Sequence, residues 1–152
     1  MTEEIYPMPS FPVLVVRDLE ASSKWYQDVL AFKHIFTMPG PGGQSAPAHL
    51  RWLKYADLLL ARPLDGKDLP GPKGVGVTLS FQMFDRFDGN IDKFAEQARE
   101  KGADIISGPI DRPWNVCELT ILDPDGYRLV FTAPLDTNLS LDEVVERAAR
   151  GK

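Results

Sequence analysis

The sequence predicts an α+β fold: two βαβββ modules forming an open, curled mixed β-sheet with helices outside, and a C-terminal helix appended. Three observations point there. The order strand–helix–strand–strand–strand occurs twice, over about residues 11–62 and about 75–133. A stretch rich in proline and glycine, residues 63–73, separates the two copies and reads as a linker. Neither half can cover a sheet face alone, so the halves pair into one β-rich core with helices outside. The repeat is one of pattern rather than of residues.

The first module opens on Phe11-Pro12-Val13-Leu14-Val15-Val16, an apolar, β-branched strand whose Pro12 belongs at a start or an edge. Asp18 is the N-cap of a helix in which Ala21, Ser22, Trp25, Tyr26, Val29 and Leu30 recur at helical spacing. Residues 32–38 form the next strand. Pro39-Gly40-Pro41-Gly42-Gly43 is a flexible loop that continues through Gln44 to Pro47. Residues 49–55 alternate as a strand, and residues 57–62 return as its hairpin partner.

The second module restarts a β pattern over residues 74–83, with Val75, Val77, Leu79 and Phe81 on one face. A helix spans about residues 90–101, with Ile91, Phe94, Ala95 and Ala98 on its buried side and Gly102 as its stop. Residues 103–107 make a short strand, and Pro109 and Pro113 flank a turn. Residues 115–122 and 127–133 are the arms of a hairpin closed by Asp123-Pro124-Asp125-Gly126. A last helix, about residues 140–149, starts on a capping box of Ser140 and Glu143, with Leu139 and Val144 placed as a hydrophobic staple. Its apolar stripe of Leu141, Val144, Val145 and Ala148 docks either on its own domain or on a partner chain.

At 152 residues the chain is one domain. A net charge of −5 speaks against nucleic acid, which calls for clustered lysine and arginine. The acidic start Met1-Thr2-Glu3-Glu4 has neither part of a signal peptide, and the longest apolar run, Leu58-Leu59-Leu60-Ala61, is far short of a membrane span. The single cysteine, Cys117, can form no internal disulfide and reads as an inert thiol. A cytoplasmic protein fits these features. No nucleophile elbow, phosphate loop, dinucleotide fingerprint or His-Glu-x-x-His motif is present. Asp123 and Asp125 serve turn geometry.

Two segments carry a family resemblance. One is Pro12-Val13-Leu14-Val15-Val16-Arg17-Asp18-Leu19, continuing to Trp25-Tyr26 and Val29-Leu30-Ala31-Phe32; the other runs from Arg112-Pro113-Trp114-Asn115 through Glu118 to Asp123-Pro124-Asp125-Gly126-Tyr127. With the doubled topology they resemble the vicinal oxygen chelate superfamily, which includes glyoxalase I, extradiol dioxygenases, fosfomycin-resistance enzymes and bleomycin-resistance proteins. The resemblance implies a divalent metal in the cup, held by His, Gln and Glu from strand positions. In this sequence those positions fall at Phe11, at Thr78, near Leu59 or Leu60, and at Val130. His34 and His49 stand at none of them, and both read as solvent-facing or internally satisfied. The expectation is therefore no metal, no cofactor and no catalytic residue, with Phe11, Leu60 and Val130 making the cup apolar.

The metal-free branch of that family, the bleomycin-resistance proteins, is similar in three details: Pro12 to Asp18, the spacing of Leu30, Phe32 and Phe36, and the run of Pro113, Trp114 and Glu118. That branch implies a homodimer whose grooves hold a flat, cationic drug, with rings stacked on the heterocycle and acids near the cationic tail. The ligand-binding candidates are Phe36, Trp52, Trp114, Phe32 and Glu118. Each has a plainer alternative: Trp114, Phe32 and Phe36 as packing, Trp52 inward with Leu50, and Glu118 as a surface strand residue. The expected function is a metal-free binder that sequesters a small aromatic, possibly cationic, antibiotic or secondary metabolite at the dimer interface. Two alternatives stay open: an enzyme of the same superfamily, glyoxalase- or dioxygenase-like, with a displaced metal or cofactor-free chemistry; and a fold-only carrier module.

Overall fold

The computed structural model describes residues 4–43 and 45–151. Met1, Thr2 and Glu3, and Gln44 of the expected loop, lie outside the described residues. The chain divides into two units, residues 1–73 and 74–152. Among the described residues they hold two four-stranded mixed sheets and three α-helices, the α+β class the sequence predicts. Among the described residues no helix is long and apolar enough to cross a membrane.

In the first unit β1 (Val13–Val15) leads into α1 (Leu19–Asp28), followed by β2 (Lys33–Pro39), β3 (Ser45–Leu53) and β4 (Ala56–Ala61). The sheet order is β1-β4-β3-β2, with β1 parallel to β4 and the other pairs antiparallel. Asp18 caps α1 as expected, its carboxylate accepting from the Ala21 amide at 3.0 Å. The helix buries Leu19 and Tyr26 against one sheet face, where Leu14, Leu50, Trp52, Leu58 and Leu60 meet it. The loop before β3 is shorter than its composition suggests. Pro41–Gly43 make one tight turn, with Gly42 and Gly43 at positive φ, and the strand has begun by Ser45. Ser45 pairs with Pro39 and Ala48 with Thr37, with Ala46 and Pro47 in the irregular stretch between, so strand replaces the expected continuation of the loop to Pro47.

The second unit repeats the plan. Its strands are β5 (Thr78–Gln82), β6 (Asp104–Arg112), β7 (Val116–Leu122) and β8 (Arg128–Pro134), with α2 (Ile91–Glu100) after β5. The order is β5-β8-β7-β6, with β5 parallel to β8. Asn90 caps α2 by accepting from the Lys93 amide at 3.0 Å, and Phe94 packs edge-on to Phe131 of β8 at 4.7 Å. Two expectations need correction. Val75 and Val77 are exposed and precede the strand, because Gly74 and Gly76 at positive φ turn the chain there; Leu79 and Phe81 alone keep the predicted face. The turn foreseen between Pro109 and Pro113 is instead strand. Gly108, at φ 88°, and Pro109 form a bulge between the Ser107 and Ile110 pairings, and β6 runs on to Arg112. After β8, α3 (Leu141–Ala149) has the full capping box, but it buries no residue; Leu141 and Val145 are exposed.

Candidate functional site

The site grows from the alternation of the β3–β4 hairpin. Its register sets His49 opposite Leu59 and Arg51 opposite Asp57. Successive side chains point to opposite faces. Leu50, Trp52, Leu58 and Leu60 therefore go to the helix side, and His49, Arg51, Asp57 and Leu59 to the helix-free side. Phe36 of β2 pairs with His49, the rings meeting edge-on at 5.3 Å. Phe11, just ahead of β1, reaches the same face.

The N-terminal segment closes this face into a pocket. The Tyr6 hydroxyl accepts from the Tyr55 amide at 2.7 Å, and the Arg51 guanidinium lies 4.5 Å from the Tyr6 ring centroid. Arg51 Nη1 donates to the Glu4 carbonyl at 2.9 Å, and Lys54 pairs with the Glu4 carboxylate at 3.3 Å. So held, Tyr6, Pro7 and Met8 form a wall opposite Phe11, Phe36, His49 and Leu59 around a cavity of about 350 Å³. That size suits a ligand of two or three fused rings, at the lower end of ordinary small-molecule sites.

The polar end of the pocket is a closed network. Asp57, buried, accepts from Arg51 Nε at 2.7 Å and Nη2 at 2.8 Å, a forked pair. Its Oδ2 also meets His49 Nε2 at 2.6 Å. The imidazole is thereby oriented with Nε2 toward the carboxylate.

The five candidates separate. Phe36 lines the pocket. Phe32 and Trp52 do not: they are 4% and 2% exposed, their rings 5.4 Å apart in the helix-side core, with Phe32 edge-on to Tyr26. Trp52 does share a face with Leu50, but that face is the one α1 covers. Trp114 and Glu118 come together in the second unit. The indole Nε1 donates to Glu118 Oε1 at 3.1 Å, and Arg112 Nε donates to Oε2 at 3.0 Å. Glu118 thus has both oxygens engaged, while the Trp114 ring is half exposed. Tyr6, Met8, His49 and Asp57 went unseen in the sequence. Their signal was available in part: polar residues at 49, 51 and 57, out of phase with Leu50 and Trp52, mark a hairpin whose second face is not plain surface.

At the family's metal positions stand Phe11, Leu59, Thr78 and Val130. The register settles the alternative in favour of Leu59, since Leu60 is fully buried on the helix side. Three of the four side chains have no donor atom, and the fourth is a hydroxyl. Among the described residues no three His, Cys, Asp or Glu side chains gather where they could hold a metal ion. His49 and Asp57 are a pair only, and Arg51 already occupies the carboxylate. These residues do not fit the family's divalent ion.

The model of the glyoxalase/bleomycin resistance protein/dioxygenase superfamily matches residues 10–131. Among solved structures, TioX from Micromonospora sp. ML1 is 22% identical, with 83% of this chain and 99% of that one covered and a TM-score of 0.62. TnmS3, an antibiotic binding protein from Streptomyces sp. CB03234, is 21% identical over 87% and 98% of the two chains, with a TM-score of 0.62. FosX, a fosfomycin resistance protein from Listeria monocytogenes in complex with Mn(II) and sulfate, is 13% identical over 94% and 98%, again at 0.62. No curated protein sequence matches. At these identities the structures establish a shared fold, and the family match over residues 10–131 carries membership: the chain belongs to the glyoxalase/bleomycin resistance protein/dioxygenase superfamily.

Proposed function

We propose that this protein is a metal-free binder of small aromatic molecules, sequestering an antibiotic or secondary metabolite. The observation that carries this reading is the pocket of the first unit. Phe11, Phe36, Tyr6, Met8 and Leu59 build an apolar, ring-lined hollow where metal-dependent relatives would need N and O donors. Ring pairs in such a site contribute about 0.5–1.5 kcal/mol each beyond their area burial. That TnmS3, of the same fold, is an antibiotic binding protein agrees with this reading. The working form is a cytoplasmic homodimer. Trp114, half exposed, with its N–H committed to Glu118 and the Arg112 guanidinium over its ring at 5.7 Å, serves as a stacking surface at the dimer interface.

Calorimetric titration with a naphthoquinone, a quinoxaline antibiotic and bleomycin tests the reading. Saturable binding of at least one is expected, weakened about two- to tenfold by Phe36→Ala. Silence toward every planar compound overturns it. A second reading, an enzyme using cofactor-free acid–base chemistry, draws support from the His49–Asp57 pair on the pocket wall. Ligand recovered chemically unchanged after prolonged incubation decides for the binder, and altered ligand decides for the enzyme.

A further inference from the structure

The pocket is apolar except at one end, and at that end His49 keeps a ring nitrogen to offer. Both oxygens of Asp57 are engaged, by the Arg51 fork and by His49 Nε2. Its charge is neutralised where it sits, so it gives no anchor to a cationic group. With Nε2–H donated to a carboxylate, a neutral imidazole carries its lone pair on Nδ1. Among the described residues nothing bonds to His49 Nδ1, and the ring lines the cavity beside Phe36.

An acceptor set in a largely apolar wall favours a ligand that brings a donor to it. Building on the reading of this pocket as an aromatic binding site, we infer that its ligands are hydroxylated aromatics whose ring O–H is donated to His49 Nδ1. The Asp57 carboxylate fixes the tautomer that makes Nδ1 the acceptor, and Arg51 holds Asp57 in place. The rings of Phe36, Phe11 and Tyr6 take the flat body of the ligand. A cationic tail is no part of this recognition.

The test compares naphthalene, 2-naphthol and 2-methoxynaphthalene by calorimetry at pH 8, in the wild type and in His49→Phe. Water holds 2-naphthol more strongly than naphthalene, so burial alone ranks naphthol last. The inference expects the reverse, with 2-naphthol bound about five- to tenfold more tightly than its methyl ether. In His49→Phe the ratio of naphthol to ether affinity collapses to about one. Comparable binding of all three by the wild type overturns the inference and leaves the aromatic pocket standing. A preference for naphthol that survives in folded His49→Phe overturns it too. Binding of none of the three removes the pocket reading and the inference together. The wild-type comparison needs no variant, so it decides even if His49→Phe fails to fold.

Discussion

Asp57 and Cys117 show how burial assigns different work to two ionisable side chains. The carboxylate keeps its place in a sheet face because the Arg51 fork and His49 satisfy its oxygens; a partnerless carboxylate there would cost several kcal/mol. The thiol has no such compensation. Cys117 sits on the helix side of β7, where burial, and next its hydrogen bond to Asp111, push its pKa up from 9.0 to about 11. The sign of the consequence follows from proton counts. Above pH 9 the unfolded chain gives up a thiol proton that the folded chain retains, so stability falls as pH rises toward 11. Urea midpoints measured across that range should decline less steeply in Cys117→Ala than in the wild type; parallel declines would show that the thiol contributes nothing. The inertness of this cysteine was legible in the sequence, since no activating cation stood near it. The pocket was not. Phe36, offered by the resemblance to the bleomycin-resistance branch, does line it, but His49 and Asp57 lie eight residues apart, and only the hairpin register brings them into contact. Trp52 was misplaced for a related reason: alternation tells which residues share a face, and the position of α1 decides which face is covered.

Caps are local chemistry, which is why Asp18, Asn90 and Ser140 all mark real helix starts. Strand ends depend on pairing, and there local signals misled. Pro47 lies inside β3, and Pro109 sits in a bulge of β6 that Gly108 makes possible; a Cβ at Gly108 would stand 2.1 Å from the Glu118 carbonyl oxygen. Proline punctuates a lone chain more reliably than one already paired in a sheet. The same cap chemistry should have unequal global effects. Asp18→Ala removes about 1 kcal/mol from a helix that buries Leu19 and Tyr26, so the whole protein should melt some 2–4 °C lower. Ser140→Ala removes a similar amount from α3, which buries nothing. Its effect should be confined to faster amide exchange over residues 144–148, with the global transition nearly unmoved. A global shift equal to that of Asp18→Ala would mean that α3 is docked.

At the scale of the whole molecule the doubled βαβββ plan was readable because it is a repeat of pattern, and each copy folds with its first strand parallel to its last. What the chain leaves uncovered bears on the proposed homodimer. Ile110 and Trp114 of the β6–β7 hairpin, Leu135 after β8, and Leu141 and Val145 of α3 are all exposed on the second unit. Arg147 and Gly151 at the end of α3 border the same depression as Pro113 and Leu135, so the helix stays close to the hairpin; Val144 and Ala148 are half-buried while Leu141 and Val145 face outward. Apolar surface left in water forgoes about 25 cal/mol per Å², and groups of such side chains mark association surfaces. A homodimer is the partner that symmetry supplies at no further cost in sequence. Light scattering at micromolar concentration should give about 34 kDa, twice the 17.0 kDa of one chain. Paired substitution of Leu141 and Val145 by serine should shift the protein toward 17.0 kDa. A wild type that runs as 17.0 kDa at tens of micromolar would remove the dimer, and with it the stacking role given to Trp114, while leaving the pocket of the first unit intact.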